Sequence, residues 1–213
     1  MNFIQTENLN LRVPSKDNLD KWTELINSPK IRKTIFSTLM PKTAEMQWSW
    51  IQNELNAKNR ILLEICNKDN NFFLGVVSLS NIDHERRLAQ IGTISIPIKD
   101  KKNRYCVYEA RTAILKYAFN ELSLNKVYGG TAYPENKPFL VNNMCMGFEV
   151  EGLKHDHRWF NNIPLLDINY FITKSIFEKK NIIGTQIDNL LSKKNRNLNE
   201  KKLSKIISYL QIK

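Results

Sequence analysis

Residues 94–118, ISIPIKDKKNRYCVYEARTAILKYA, are the stretch on which the interpretation of this sequence rests. A short β-type run ends at Pro97, a cationic loop spans residues 99–104, and an amphipathic helix is predicted to begin near Tyr108. The first turn of a helix carries unpaired N–H groups and a partial positive charge, so a phosphate can dock there. Strand, basic loop and helix start together predict an anion site. Our hypothesis is that this site holds the diphosphate of a coenzyme.

The composition is that of one domain of ordinary size with an appendage. The chain has 213 residues, of which 42% are hydrophobic, and this is enough for a core. No apolar run approaches the roughly 18–20 residues of a membrane span, and the N-terminus lacks a signal-peptide pattern. No membrane partner is therefore expected. Three cysteines without metal-ligand spacing, Cys66, Cys106 and Cys145, are interpreted as free thiols of a cytoplasmic protein.

The net charge of +11 is unevenly distributed. Residues 175–213 hold nine Lys/Arg against three acids, so the tail supplies +6 of the +11. Two interpretations stay open: a background composition rich in Lys, Asn and Ile, or attraction of anionic partners. No basic stripe interleaved with aromatic residues is visible along the sequence. Nucleic acid is therefore not expected as the main ligand.

The order of the predicted elements indicates a mixed α/β fold. Alternating and apolar patterns predict strands at 7–13, 60–66, 72–80, 89–96 and 126–133, and closing strands at 148–152, 158–160 and 165–173. Helices are predicted after Ser15, over 43–57, from Tyr108 and from 136 to about 146. The helix over 43–57 would bury the stripe Met46, Trp50, Ile51 and Leu55. This order favours an α+β mixed sheet over a sandwich or a bundle.

The character of the chain changes at Ser175. We therefore predict a main domain at 1–174 and a basic helical extension at 175–213. The extension would consist of two short amphipathic helices joined by a polar linker, SKKNRNLNEKK at 192–202. These helices either pack on the surface of the domain or form a contact with a partner or with a second copy in a homodimer.

Several motifs occur in a fixed order between Gly75 and Thr173. Glu109-Ala110 opens the helix, YAFNEL at 117–122 ends it, Pro134-Glu135-Asn136 follows the next strand, and Gly147-Phe148 begins eleven residues after Asn136. With Asp167 in the last strand, the stretch resembles the GNAT (Gcn5-related N-acetyltransferase) superfamily. The resemblance is strongest to the branch of ribosomal-protein N-terminal and nucleotide-amino-sugar N-acetyltransferases, and it covers about 170 residues but not the tail.

The resemblance implies transfer of an acyl group from acetyl-CoA, or from another short acyl-CoA, to an amine, without a metal. It also implies a twisted central sheet, helices on both faces, and splayed fourth and fifth strands that hold the pantetheine through main-chain groups. The residues implied in coenzyme binding lie on the fourth strand, in the loop, at the helix start and after the fifth strand. They are Ile94, Ser95, Ile96, Lys101, Lys102, Asn103, Arg104, Tyr105, Cys106, Val107, Tyr108 and Asn136.

The loop departs from the family's pattern. Where the family has two glycines, this chain has Tyr105 and Val107, and Lys102 stands at the basic position. Glycine lets backbone N–H groups approach a phosphate without a side chain between them. Three interpretations follow: a diphosphate is bound through N–H groups and the loop cations, a shifted or different acyl donor is bound, or the site is inactive.

Catalysis of acyl transfer requires a base for the amine and a proton for the leaving thiolate. Many relatives have a tyrosine at the position of Asn143 for the second task. Asn143 cannot act as an acid, so it either hydrogen-bonds the sulfur or is an ordinary helix residue. His84 is the candidate base, because the ordinary pKa of histidine, about 6.5, is near neutral. A solvated turn histidine is the alternative.

The acceptor is expected to be a primary amine of a small molecule. The candidate acceptor-binding residues are Arg32, Asp83, His155, His157 and Arg158. Nucleotide-linked amino sugars carry two phosphates, which suits the positive charge and makes them the first choice. The alternatives are a protein N-terminus and, in a different class, a degenerate binding module that contacts a partner through the basic tail.

Overall fold

A computed structural model describes residues 2–32, 40–96, 103, 105–160, 162–180, 182 and 186–211. By its contacts the chain forms two compact units, Met1–Val127 and Tyr128–Lys213. The division after residue 174 that the sequence suggests stays a prediction.

The first unit is an antiparallel sheet with helices on both faces. Its strands are β1 (Asn2–Gln5), β2 (Leu9–Arg12), β3 (Ile61–Asn67), β4 (Phe73–Asp83) and β5 (Leu88–Ser95). Its helices are α1 (Leu19–Asn27), α2 (Pro29–Arg32), α3 (Ala44–Asn56) and α4 (Cys106–Asn120), with a 3-10 turn at Lys16–Asn18. The strands follow one another as a meander, β1-β2-β3-β4-β5. β1 pairs with β2 and was not predicted.

The two faces of this sheet are covered by different helices. Ile94 and Ile96 pack on an apolar cluster that includes Trp22 of α1. Successive residues of a strand point to opposite faces, and Thr93 accepts a hydrogen bond from Arg111 of α4 (Nη1–Oγ1 3.0 Å). α1 and α3 therefore lie on one face and α4 on the other, as a mixed α/β fold requires.

A buried carboxylate fixes the start of α1. Glu64 of β3 is fully buried and accepts hydrogen bonds from Arg12 (2.9 Å), Asn18 (2.8 Å) and the Trp22 indole (2.9 Å). Burial alone would lower the pKa of Arg12, but the hydrogen bond with Glu64 and the attraction of nearby negative groups together outweigh it, and the pKa is raised. Charged partners in low dielectric attract strongly. Glu64 thus joins β2, β3 and α1 at one point.

The first helical segment begins after Ser15, as predicted, with the 3-10 turn at Lys16. The Ser15 side chain does not cap it; its hydroxyl lies 3.2 Å from Asp17 Oδ2. The backbone N–H of Ser15 donates to Glu64 (3.3 Å). Glu64 therefore holds the main chain just before the helical turn.

The predicted apolar stripe of α3 is also wrong. Thr43 caps the helix as its position suggests, accepting from Met46 N at 3.3 Å. Of the stripe, however, only Ile51 is buried, whereas Met46, Trp50 and Leu55 are exposed. Gln47 is the other buried residue of the helix. Compared with the prediction, the helix is turned about its axis so that Ile51 faces the cluster around Trp22. The rings of Trp50 and Trp22 are in contact with their centroids 6.3 Å apart.

The second unit contains three strands and four helices among the described residues. They are β6 (Lys126–Tyr133, which begins at the unit boundary), β7 (Glu149–Phe160), β8 (Ile163–Thr173), α5 (Lys137–Cys145), α6 (Lys174–Lys179), α7 (Ile187–Leu190) and α8 (Lys193–Gln211). The strand order is β6-β8-β7, and β7 and β8 are antiparallel. Gly147 ends α5 at φ +93°, the left-handed position expected of it.

The tail is more helical than the sequence suggests. The predicted linker at 192–202 is not a linker: from Lys193 onward it forms the first half of α8. Leu203 and Ile207 of α8 are buried, and Glu200 pairs with Lys137 of α5 (2.5 Å). The tail therefore packs within the second unit, since its apolar residues are removed from water there. The alternative of a homodimer contact stays a prediction.

Candidate active site

The end of β5 lies unusually close to β4. Ile94 and Ser95 pair with Val76 and Gly75, and the Ile96 N–H donates to Leu74 O (3.1 Å). Gly75 has φ +152°, and a Cβ built there would lie 2.2 Å from the Ile94 carbonyl oxygen. Only glycine permits this approach. Gly75, which the sequence did not identify as a site residue, therefore sets the position of the main chain at 94–96.

Gly75→Ala is expected to destabilise the protein by roughly 1–3 kcal/mol, because the methyl group meets backbone that cannot turn aside. It should also weaken acyl-CoA binding if the 94–96 main chain holds the coenzyme. Chemical denaturation and calorimetry measure the two effects. Gly152→Ala is the matched control, since a Cβ there meets no described atom within 4 Å. Equal stability of the two variants would contradict this role of Gly75.

The start of α4 is anchored by main-chain contacts. The Asn103 carbonyl accepts from Cys106 N (3.0 Å), and the Asn103 side chain accepts from Asn67 of β3 (3.0 Å). Tyr105 occupies the N-cap position without a side-chain cap, and its carbonyl accepts from Tyr108 N (2.9 Å). Four of the residues implied in diphosphate binding, Asn103, Tyr105, Cys106 and Tyr108, are thus parts of one helix start.

Side chains fill the glycine positions. Tyr105 is half-buried and its ring lies edge-on to Tyr108 (centroids 6.4 Å apart), and Val107 is also half-buried. Burial raises the pKa of the Cys106 thiol to about 12, so this group is a neutral part of the core rather than a nucleophile. Lys101, Lys102 and Arg104 lie outside the described residues.

Glu109 is a further residue at this helix start that the resemblance marked only as a motif. Its Oε1 accepts from the Thr6 hydroxyl (2.5 Å) and from Asn8 N (3.0 Å), and its Oε2 accepts from Asn8 Nδ2 (3.2 Å). A carboxylate in the first turn also complements the helix dipole. Glu109 therefore ties α4 to the β1–β2 turn. The sequence does not reveal the contacts of Glu109 with Thr6 and Asn8, because β1 was not predicted.

In the second unit, Asn136 stands at the N-cap position of α5. Asparagine is a common cap residue, but the Asn136 side chain does not cap the helix; its Nδ2 donates to Thr131 Oγ1 of β6 (3.1 Å). Asn143 follows seven residues later, and a spacing of seven returns to the same side of a helix. Both candidate coenzyme contacts of this unit therefore belong to one side of α5.

Asn143 is fully buried, and neither atom of its side-chain amide has a hydrogen-bond partner among the described residues. An unsatisfied buried amide costs about 1–3 kcal/mol, and most buried polar groups in folded proteins are paired. A ligand that supplied a partner would remove this cost, but other buried side-chain atoms, such as Gln47 Nε2, also have no partner among the described residues. The sequence pointed to this position, but only the structure shows that its amide is unpaired.

The β4–β5 turn carries His84 and Asp83. Asp83 Oδ1 accepts from Arg86 N (2.7 Å), so this carboxylate stabilises the turn itself. His84 is exposed. The turn lies at the opposite end of β5 from Ile94, six residues or about 20 Å away along the strand. Arg32, at the end of α2, is also exposed.

The candidate acceptor residues of β7 lie in a bulge. Lys154 pairs with Asp167 and Arg158 with Leu165, so four steps along β7 match two along β8. Asp156 has φ +50°. A regular strand would place His155 and His157 on one face, but in this bulge the two side chains, both exposed, do not follow simple alternation. Arg158 lies in the strand, but its side chain is outside the described part of the structure.

The family is decided by a comparison with family models. The model for the acetyltransferase (GNAT) domain matches residues 8–139, which include β2 to β5, α4, β6 and Asn136. The chain belongs to the GNAT acetyltransferases. It is accordingly an acyl-CoA-dependent N-acyltransferase, and enzymes of this family use acetyl-CoA. The particular branch within the family stays a prediction.

Solved structures share the GNAT fold at low sequence identity. Spermidine N-acetyltransferase from Vibrio cholerae, in complex with CoA and spermine, is 20% identical with a TM-score of 0.71, and the match covers 81% of this chain and 99% of that one. A GNAT-family acetyltransferase from Bacillus anthracis is 23% identical with a TM-score of 0.68, covering 81% and 99%. A search among curated proteins finds no match. About a fifth of this GNAT chain thus lies outside these two matches.

Two further properties of this GNAT protein concern ligands and membranes. Across the described ranges, no group of three or more His, Cys, Asp or Glu side chains could hold a metal ion. None of the helices in that part of the chain is long and apolar enough to cross a bilayer.

Proposed function

We propose that this acyltransferase moves an acetyl or short acyl group to the primary amine of an anionic small molecule, with a nucleotide-linked amino sugar as the first candidate. The observation that carries the proposal is the net charge of +11. A strongly positive protein attracts phosphate-bearing acceptors and repels polycations such as spermidine. The positive field therefore favours an acceptor that carries phosphates beside its amine.

Coenzyme binding is proposed in both units. In the first unit, the main chain at 94–96 and the start of α4 would hold the pantetheine and diphosphate, helped by Lys101, Lys102 and Arg104. In the second, Asn136 and the amide of Asn143 would contact the pantetheine arm and its sulfur. The unpaired, fully buried Asn143 amide and the close main chain at Gly75 both fit such a ligand.

The reaction requires an activated acyl group, which acyl-CoA supplies as a thioester. The acceptor nitrogen loses a proton and forms the amide bond, while the carbon–sulfur bond breaks and the sulfur leaves as a thiolate that is later protonated. A donor amide at Asn143 would stabilise the negative sulfur without giving up a proton. The two substrates are expected to be bound together, with direct attack.

His84, the candidate base, lies about 20 Å along β5 from Ile94, so it can act as the base only if the thioester and the amine meet near the β4–β5 turn. For an acceptor bound there, His84→Gln should lower kcat/KM by roughly 100-fold, because loss of a general base typically costs 10²–10⁴-fold. Steady-state kinetics with varied acceptor measure kcat/KM. Arg86→Gln, in the same turn, serves as the control. An unchanged kcat/KM for His84→Gln would show that the proton leaves by another group or through water.

Calorimetry with acetyl-CoA and longer acyl-CoAs tests coenzyme binding directly. Binding should weaken with salt, and the double variant Lys102→Ala/Arg104→Ala should bind more weakly and with less salt dependence. No binding of any acyl-CoA would favour the degenerate binding module. Unchanged affinity of the double variant would show that the diphosphate lies elsewhere.

A panel of amines then tests the acceptor. We expect turnover with amino-sugar nucleotides, and a rise in KM with ionic strength because attraction between charges is screened. Peptides with free N-termini test the runner-up, a protein N-terminal acetyltransferase. Spermidine tests whether a polycation can serve as the acceptor. Turnover of spermidine in preference to the nucleotide-linked sugars would overturn the charge argument.

A further inference from the structure

Helix α8 presents two different sides. One side packs within the second unit through Leu203 and Ile207, which are buried. Two polar contacts with α5 hold it there: Glu200 pairs with Lys137 (2.5 Å), and Asn199 Nδ2 donates to Cys145 Sγ (3.5 Å). The apolar residues of α8 are therefore largely used by its packing, and its register against α5 is set.

The other side of α8 is basic and exposed and carries two apolar side chains, one of them aromatic. The sequence does not show this arrangement, because it predicts a linker at 192–202 where the structure has the first half of one continuous helix. Lys194, Leu198, Lys201, Lys205 and Tyr209 follow one another at spacings of four, three, four and four residues. These spacings place all five on one side of a helix, over about 22 Å. All five are exposed, Leu198 by 66% and Tyr209 by 62%. We call this set the outer face of α8.

No acid neutralises the outer face from within the helix. The 19 residues of α8 contain six Lys or Arg and a single acid, Glu200. Glu200 is directed to Lys137 of α5. Like charges this close on a helix repel one another by a few tenths of a kcal/mol per pair. A row of lysines with no acid on its own side of the helix is screened by water and ions, and it attracts polyanions.

We propose that the outer face of α8 binds single-stranded nucleic acid. Lysines spaced along one side of a helix can each contact a backbone phosphate, and an exposed tyrosine offers a ring on which an unpaired base can stack. Neither contact reads sequence, so binding is expected to be strongly salt-dependent and weakly selective for bases. This inference is independent of acyl transfer.

A membrane surface is the competing polyanion, and the structure disfavours it. Interfacial helices insert a broad apolar side between lipids. In α8 that side is packed within the second unit, and only Leu198 and Tyr209 remain to insert. The outer face therefore suits phosphates in solution better than a lipid surface.

Fluorescence anisotropy with a labelled, unstructured 20-residue RNA tests the proposal on the full chain. The variant Lys194→Glu/Lys201→Glu/Lys205→Glu should bind at least roughly tenfold more weakly. The slope of log affinity against log salt concentration should be smaller in magnitude by about 2, because each phosphate that is no longer bound reduces it by about 0.7. Tyr209→Ala should weaken binding without changing that slope. DNA of the same sequence and the matching duplex distinguish the strand type, and the duplex should bind less well to the wild type.

The control variant Lys58→Glu/Lys116→Glu/Lys154→Glu changes three exposed lysines that are not part of α8 and alters the net charge equally. It should retain RNA binding within about threefold, and added CoA should not displace the RNA. Equal loss in both triple variants would mean that binding follows net charge and not this face. No RNA binding by the wild type, or binding only to anionic vesicles, would overturn the proposal. Thermal unfolding of all variants excludes loss of fold as the cause.

Discussion

Glu64→Ala is expected to destabilise the protein by about 3–5 kcal/mol, the range for removing one partner of a buried ion pair. The substitution leaves the Arg12 guanidinium, the Asn18 amide and the Trp22 indole without their acceptor in the interior. For a chain of this size, that loss corresponds to a fall in Tm of roughly 10 °C. Urea denaturation gives the free energy of unfolding, and thermal scanning gives the Tm.

A control variant separates the effect of burial on stability from the effect of ion pairing alone. Glu178 also forms an ion pair, with Lys174 in α6, but its side chain is 61% exposed and that of Lys174 37%. Exposed pairs contribute little, so Glu178→Ala should cost less than about 1 kcal/mol. If Glu64→Ala cost no more than Glu178→Ala, the cluster around Glu64 would not be the anchor of α1 that its contacts indicate.

Asn143→Leu is expected to act on stability and activity in opposite directions. Leucine has the same number and branching of side-chain heavy atoms as asparagine but no polar atoms, so replacing a buried amide that has no partner among the described residues should stabilise the ligand-free protein by about 1–2 kcal/mol. Loss of a hydrogen bond to a charged sulfur is worth about 1.5–3 kcal/mol, which corresponds to a fall in kcat of roughly 10- to 100-fold. Thermal unfolding and steady-state kinetics with saturating acyl-CoA measure the two effects.

A rise in stability together with a fall in kcat would distinguish an amide that contacts the substrate from one that only stabilises the fold. Asn53→Leu, on the exposed side of α3, should change neither quantity appreciably. If Asn143→Leu lowered both stability and kcat, the amide would be part of the packing. If it raised stability and left kcat unchanged, Asn143 would be an ordinary helix residue, the alternative left open by the sequence.

Local patterns predicted most of the elements. The strands at 60–66, 72–80, 89–96 and 126–133 correspond to β3 to β6, because alternation of apolar residues depends only on the strand's own period. Thr43 and Gly147 mark helix ends as expected, since capping is decided within one turn. β1 escaped notice because NFIQ is short and its residues are mostly exposed.

The side of a helix that is buried, and the residue that a given side chain contacts, could not be predicted in the same way. Four apolar residues of α3 suggested one buried side, but of these the helix buries only Ile51, together with Gln47. The site shows the same limit: Asn136 was recognised by its motif, yet its contact is Thr131 and not the helix end. Which side of a helix faces the core depends on neighbours that are distant in sequence.

The opening stretch shows how the two kinds of information divide. The sequence by itself determined that a strand, a basic loop and a helix follow one another there, and its motifs were sufficient to indicate the GNAT family. Only the tertiary structure decided that Gly75 brings β4 against Ile94, that Glu109 is held by Thr6 and Asn8, and that Asn143 is buried without a partner among the described residues. The physical reason is that periodicity and capping are local, whereas burial and hydrogen-bond partners are set by segments that meet only when the chain folds.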